Sequence, residues 1–258
     1  MLPSRTQRRR RLDPDRRLGL RLLLALVAVV VIGVPFLALL LLVRAKWSPL
    51  LHLDHGVAAD LHSAALRHPA LVRALRVVST VFDPNVFRVV ATAVAVWLLV
   101  DHRPRLATWT LVTVWGGGLL DLLVKTAVGR ARPVFDVSVA TAGGKSFPSG
   151  HALGSIVGCG VLLLVLLPLV RPGRARLLCW LAAVLVVLAV GFARIGLGVH
   201  FVSDVLAGWA LGLGWLAATT AAFQAWRREL GAQPVEPAAE GLEPELRDHR
   251  GMPGEVSG

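Results

Sequence analysis

The chain has 258 residues, 55% of them hydrophobic, and carries 28 Lys and Arg against 16 Asp and Glu, a formal charge of +12. Soluble domains are about 45–50% apolar, so this excess argues against an ordinary soluble fold and for a membrane protein. The positive charge does not mark a nucleic-acid binder. The arginines sit at the ends of apolar runs, where they set topology and meet anionic headgroups, and no nucleic-acid motif or aromatic-interleaved basic patch occurs.

Residues 1–21 carry Arg5, Arg8, Arg9, Arg10, Arg11, Arg16, Arg17 and Arg21 against Asp13 and Asp15, and read as a basic cytoplasmic arm. Residues 22–43 are uncharged and long enough to span a bilayer. The run is too long for the core of a signal peptide. It ends in Val43-Arg44-Ala45-Lys46-Trp47 rather than at an Ala-x-Ala-like site, so it reads as a retained first span. Residues 47–80 place Leu50, Leu53, Val57 and Leu61 at roughly helical spacing among Asp54, Asp60, His52, His55 and His62. One or two amphipathic segments at the outer interface are expected there, with solvated histidines.

Asp83-Pro84-Asn85 turns the chain into a second span, 86–100, with Arg88 near its outer end, where it can snorkel. Further spans are expected at 106–124, 150–167, 177–192 and 202–222. Arginine-bearing inner loops (101–105 and 171–176), a polar loop (125–147) and a short turn (193–200) separate them. From Glu229 onward the Pro, Gly and Glu content reads as a disordered tail. The fold class is therefore all-α, a polytopic membrane protein of about six transmembrane helices. Its parts are a basic arm (1–21), a membrane domain (22–226) and a cytoplasmic tail (227–258). The arm and the inner loops put both termini inside, with Arg44, Lys46, Arg67, Arg73 and Arg76 opposing on the outer side. Cys159 and Cys179 fall inside apolar runs and read as small core residues, not a disulfide or metal site.

On that topology the loop from Lys125, the turn Phe147-Pro148-Ser149-Gly150-His151 and the turn from Arg194 share the outer face. Ser149 suits an N-cap, and the free amides near Gly150 and His151 suit an anion. Lys125, Arg132 and Arg194 offer cations fit for a tetrahedral oxyanion. His151 and His200 can supply a nucleophile and an acid, and Asp204 follows His200 by four residues. A carboxylate on one imidazole nitrogen frees the other to attack. Asp121, four residues before Lys125, reads as a helix-face partner that keeps Lys125 charged and aimed. Arg130 and Lys145 read as solvated loop charges. Gly116-Gly117-Gly118 reads as a site of close helix packing, since no Lys-Ser/Thr follows it.

Three stretches resemble the type 2 phosphatidic acid phosphatase (PAP2) superfamily. Lys125-Thr-Ala-Val-Gly-Arg-Ala-Arg132-Pro133 matches its Lys-x6-Arg-Pro motif, and Pro148-Ser149-Gly150-His151 its Pro-Ser-Gly-His motif. Arg194-x5-His200-x3-Asp204 matches the third motif, with Ala193 where the family has Ser. The resemblance implies a PAP2/acid phosphatase-like helical bundle. It also implies a metal-independent phosphohydrolase, without cofactor, that removes phosphate from lipid phosphates or diphosphates at the extracytoplasmic membrane surface. By that resemblance His200 is the nucleophile, Asp204 orients it, and His151 protonates the leaving oxygen and then activates water. Lys125, Arg132, Ser149, Gly150 and Arg194 hold the phosphate. The substrates implied are undecaprenyl diphosphate or phosphatidate and phosphatidylglycerol phosphate types, with membrane lipids as the other partners. A lipid phosphotransferase using the same residues, and a non-catalytic membrane scaffold, are the alternatives.

Overall fold

A computed structural model describes residues 33–246. The basic arm and the first part of the first expected span lie outside these residues, as do residues 247–258. Regular structure among the described residues is helical throughout: α1 (Gly33–Arg44), α2 (Ser48–Arg67), α3 (Pro69–Val81), α4 (Pro84–Val100), α5 (Pro104–Val128), α6 (Gly150–Leu166), α7 (Arg174–Gly196), α8 (Val202–Glu229) and a short α9 (Pro237–Glu240). Helices α2 to α5 each take a proline in their first turn. There the missing N–H costs nothing and the fixed φ is already helical. Asp83 caps α4, accepting from the Asn85 N–H at 2.8 Å. Gly129, in the left-handed region at φ 69°, ends α5. Only glycine takes that conformation without strain.

Five helical segments among the described residues are long and apolar enough to cross a membrane, six if the bent pair α1–α2 counts as one. The chain is thus a multi-pass membrane protein. Helix α6 is the hub and packs against α4, α5, α7 and α8. In its most apolar stretch 61% of residues are buried, against 22% or less in the other four. Leu153, Val157, Val161, Leu164 and Val165 fill its faces. The outer helices turn Leu119, Leu122, Leu123, Val184, Leu185 and Leu188 outward, as a lipid-solvated bundle does.

Small residues let the helices touch. A Cβ at Gly208 of α8 would lie 2.6 Å from the Ser149 carbonyl oxygen, so the start of α8 sits directly on the start of α6. Gly116 and Gly117 lie against Trp215, whose indole donates to the Thr113 carbonyl at 2.7 Å. The glycine run therefore packs helices, as its sequence implies.

Two expectations are corrected. The region read as interfacial and solvated, residues 47–80, forms α2 and α3, whose inner faces are buried against α7 and α8. Asp54 and His62 are buried, and His62 stacks on Phe135 with ring centroids 3.9 Å apart. The described part of the tail, read as disordered, is packed. Leu242 and Leu246 are fully buried, Arg227 pairs with Glu245 at 2.8 Å, and Arg103 pairs with Glu243 at 3.3 Å. Two leucines at four-residue spacing offset the ordering cost of a polar, proline-containing strap.

Candidate active site

The site is built from helix ends. Helix α5 delivers Asp121 and Lys125 in its last two turns. The loop after Gly129 then carries Arg130 and Arg132, and a backbone bond from the Ser146 N–H to the Arg130 carbonyl, 2.9 Å, closes it. Ser149 starts α6, with its hydroxyl accepting from the Ala152 N–H at 3.5 Å. Arg194 lies in the last turn of α7, and His200 sits in the turn before α8. Asp204 lies in the first turn of α8. The backbone ties the turns together: the Ser149 N–H donates to the Asp204 carbonyl at 2.9 Å.

These residues enclose a cavity of about 310 Å³ lined by Lys125, Arg132, Gly150, His151, Arg194 and His200. Asp83, Arg88 and Asp121 also line it, giving four cations against two carboxylates. Lys125 Nζ lies 2.7 and 2.6 Å from the two Asp121 oxygens. A Cβ on Gly150 would sit 2.8 Å from both Lys125 Nζ and Asp121 Oδ2. A side chain there would have to push the ion pair aside, because the pair lies directly against the backbone.

His200 is 1% exposed. Its Nε2 lies 2.9 Å from Arg132 Nη1, and its Nδ1 lies 3.5 Å from Asp204 Oδ2. Arginine can only donate, so Nε2 carries the lone pair and Nδ1 the proton. The Nδ1 contact is long for a hydrogen bond. Asp204 Oδ2 is held meanwhile by the Ser146 hydroxyl and by the Phe201 N–H at 2.9 Å. Burial pushes the His200 pKa down to about 4, Asp204 raises it, and Arg132 and Arg194 lower it. The ring is neutral at neutral pH, the state a nucleophile needs. Burial likewise pushes the Arg132 guanidinium below its usual range, while Asp204 and Asp121 pull it back up.

Arg132 also donates to the carbonyls of Gly143 (2.9 Å) and Val199 (2.8 Å), which fixes its plane. Arg194, 8% exposed, donates from Nη1 to the Ser79 hydroxyl at 2.6 Å. Its Nε has no protein partner among the described residues. Ala193 is fully buried among Val72, Leu75, Leu197 and Val199, so the hydroxyl that Arg194 holds comes from α3.

A match to the PAP2 superfamily model covers residues 106–228 and contains all three motifs. Residues 106–228 thus match the PAP2 superfamily as a domain within the chain. Phosphatidylglycerophosphatase B of Bacillus subtilis (strain 168) is 36% identical over 98 residues, 37% of this chain and 47% of the relative. Lipid A 1-phosphatase of Rhizobium etli is 35% identical over 127 residues, 45% of this chain and 49% of the relative. The chain thus spans about half the length of the curated relatives it matches. A crystal structure of a transmembrane PAP2-type phosphatidylglycerolphosphate phosphatase from Bacillus subtilis superposes with a TM-score of 0.64 at 21% identity. That match covers 80% of this chain and 98% of the other, a likeness of fold.

Within this bundle seven of the eight residues singled out from the motifs meet at or directly behind the cavity. Ser149 differs: it is fully buried and does not line the cavity. Its hydroxyl caps α6, so it presents the amides of that helix rather than a donor of its own. Helix α8 begins at Val202, so His200 and Asp204 meet across the helix start.

Four contributors carry no local sequence signal. Asp83 Oδ2 lies 3.2 Å from His151 Nε2. Arg130, read as a solvated charge, is largely buried behind the site. It donates from Nη1 to Asp204 Oδ1 and from Nη2 to Asp54 Oδ2, both at 2.7 Å. Its guanidinium lies 4.3 Å from the centroid of Phe201. Asp54 also accepts from the Ser203 N–H at 3.0 Å. Arg88, read as snorkelling, lines the cavity instead.

Proposed function

We propose that the protein is a lipid phosphatase acting through a phosphohistidine at His200. The observation that carries this reading is the geometry of His200: a buried, neutral imidazole with Nε2 2.9 Å from Arg132 and a carboxylate behind Nδ1. The substrate phosphoryl group sits among Lys125, Arg132, Arg194 and the first amides of α6. Fixed positive charge in the cavity stabilises the charge that spreads over the equatorial oxygens.

His200 Nε2 attacks phosphorus, forming the N–P bond as the P–O bond to the lipid breaks. His151 gives its proton to the departing lipid oxygen, and Asp83 holds that ring in place. Asp204 stabilises the positive charge on the phosphorylated imidazole. Water then attacks phosphorus and His151 takes a proton from it. The N–P bond breaks and inorganic phosphate leaves. No step calls on a metal.

The reaction belongs at the extracytoplasmic face of the cell membrane. Arg103, Arg105, Arg171, Arg174, Arg176, Arg227 and Arg228 gather where α4, α6 and α8 end and α5 and α7 begin, at the end away from the cavity. By the positive-inside rule that end is cytoplasmic. The apolar cavity walls at Phe87, Val114, Leu153 and Val157 suit a lipid rather than a soluble ester.

Phosphate release from phosphatidate, phosphatidylglycerol phosphate and undecaprenyl diphosphate, in detergent with EDTA, tests the reading. Release that persists in EDTA and vanishes in His200→Ala is the expected result. Equal release by that variant would overturn it.

A further inference from the structure

Arg88 is the one cavity cation that the three motifs leave unexplained. It lies in the second turn of α4 and turns inward. Its guanidinium occupies the space a side chain at Gly118 would need. It also lies 5.8 Å from the centroid of the Trp115 ring, and Nη1 donates to Asn85 Oδ1 at 2.6 Å. Among the described residues no carboxylate pairs with it. Of the two carboxylates that line the cavity, Asp83 is held by His151 and Asp121 by Lys125, so Asp121 meets Arg88 only through space and not in a direct pair. An ionised arginine near the start of a membrane span, without an ion pair, is costly to keep and points to a ligand.

Its position along α5 gives the spacing. Gly118 lies three residues before Asp121, a rise of about 4.5 Å towards the membrane interior. Lys125 Nζ reaches back to Asp121 beside Gly150. The cations therefore stand at two levels. Lys125 lies against Gly150, and Arg132 and Arg194 line the cavity with it. Arg88 lies about one helical turn deeper, at the border of the apolar walls Phe87, Val114, Leu153 and Val157. A lipid whose terminal phosphate fills the upper level must pass its next few atoms across Arg88.

We propose that Arg88, oriented by Asn85 and Trp115, is a subsite for a second phosphate group of the substrate. The protein then prefers lipids with two phosphates, as a diphosphate or as a monoester a few atoms from a phosphodiester, over lipids with one. A guanidinium fork matches two phosphate oxygens, and the amide of Asn85 and the face of Trp115 fix its plane. A single-phosphate lipid leaves this cation unmatched beside the apolar walls, which discriminates against it. The inference rests on the lipid-phosphatase reading and narrows its substrate class.

The test uses the full chain in detergent with three lipids: farnesyl diphosphate, phosphatidylglycerol phosphate and phosphatidate. Wild type, Arg88→Met, Arg88→Lys and His200→Ala are compared by kcat/KM. The proposal predicts that Arg88→Met lowers kcat/KM for a two-phosphate lipid at least about tenfold more than for phosphatidate. Arg88→Lys falls between, because it keeps the charge and loses the fork. The ratio does not depend on the active fraction, and Arg88→Lys carries the test if the Met variant does not fold. A selective loss with farnesyl diphosphate alone identifies an adjacent phosphate; with phosphatidylglycerol phosphate alone, a phosphodiester. Equal losses on all three lipids, or none, overturn the subsite and leave the phosphatase reading standing. If wild type releases no phosphate, or His200→Ala still does, the phosphatase reading fails and the subsite with it.

Discussion

Replacing Arg130 with glutamine tests whether the cluster behind His200 is a buried ion network. Arg130 has a side-chain exposure of 10%, and both its carboxylate partners, Asp54 and Asp204, have 0%. Glutamine removes the cation and leaves two buried carboxylates facing the same space. Removing one partner of a buried pair costs about 3–5 kcal/mol, because the remaining charge stays desolvated and unpaired. In a chain of this size that is a fall in Tm on the order of 10 °C. Asp204 loses the contact that fixes Oδ1, so its hold on His200 loosens. A fall in kcat of about 10- to 100-fold is expected, as for other outer-shell partners of a working histidine. Thermal unfolding followed by tryptophan fluorescence and initial rates, both in detergent, read the two effects. Lys145→Gln is the control: Lys145 is exposed and should change stability by less than about 0.5 kcal/mol. If Arg130→Gln behaved like Lys145→Gln, Arg130 would be a solvated charge and the network account would be wrong.

His200, selectively labelled and followed by NMR, should titrate near pH 4, well below the ordinary value of about 6.5. Because the folded value is depressed, its contribution to stability is fully present above about 6.5 and is lost as pH falls towards 4; a midpoint near 6.5 would contradict the burial argument. Ser79→Ala removes the hydroxyl held by Arg194 Nη1. A bond from a charged donor is worth about 1.5–3 kcal/mol, so inhibition by inorganic phosphate should weaken roughly tenfold, and an unchanged inhibition constant would separate Ser79 from the site. Gly208→Val puts side-chain atoms against the Ser149 carbonyl and should cost about 1–3 kcal/mol. Gly56→Ala, in α2 with nothing within 4 Å of the added carbon, should be neutral or stabilise by up to about 1 kcal/mol, and a reversed order in a thermal-shift assay would refute the packing argument.

The span order and the meeting of Lys125, Arg132, Gly150, His151, Arg194 and His200 were legible because each motif lies at or beside a helix end. Apolar runs place those ends on one face, so motif spacing alone brings the residues together. Asp54, Asp83 and Arg88 gave no such signal. Asp54 and Asp83 find their partners far along the chain, 76 residues separating Asp54 from Arg130, and Arg88 turns inward only because α5 packs Gly118 against it; no local period encodes contacts of that range. Arg130 was misread because two cations two residues apart in a polar loop look alike. Arg132 turns to the cavity and Arg130 turns away, and the fold of the loop back onto Ser146 decides which does which. The tail was misread from composition. Its Pro, Gly and Glu content is that of a disordered segment, and the two leucines that anchor it matter only because α6 offers a backbone carbonyl at Leu164 to the Leu242 N–H, 3.0 Å away.

The central claim is that His200 carries the phosphoryl group during turnover. Rapid-quench trapping with a lipid labelled in its terminal phosphate tests it most directly. The account predicts an acid-labile, alkali-stable phosphoenzyme that maps to His200, forms and decays within the turnover time, and is absent from His200→Ala. Label on another residue, or steady phosphate release with no phosphoenzyme at any quench time, would contradict it.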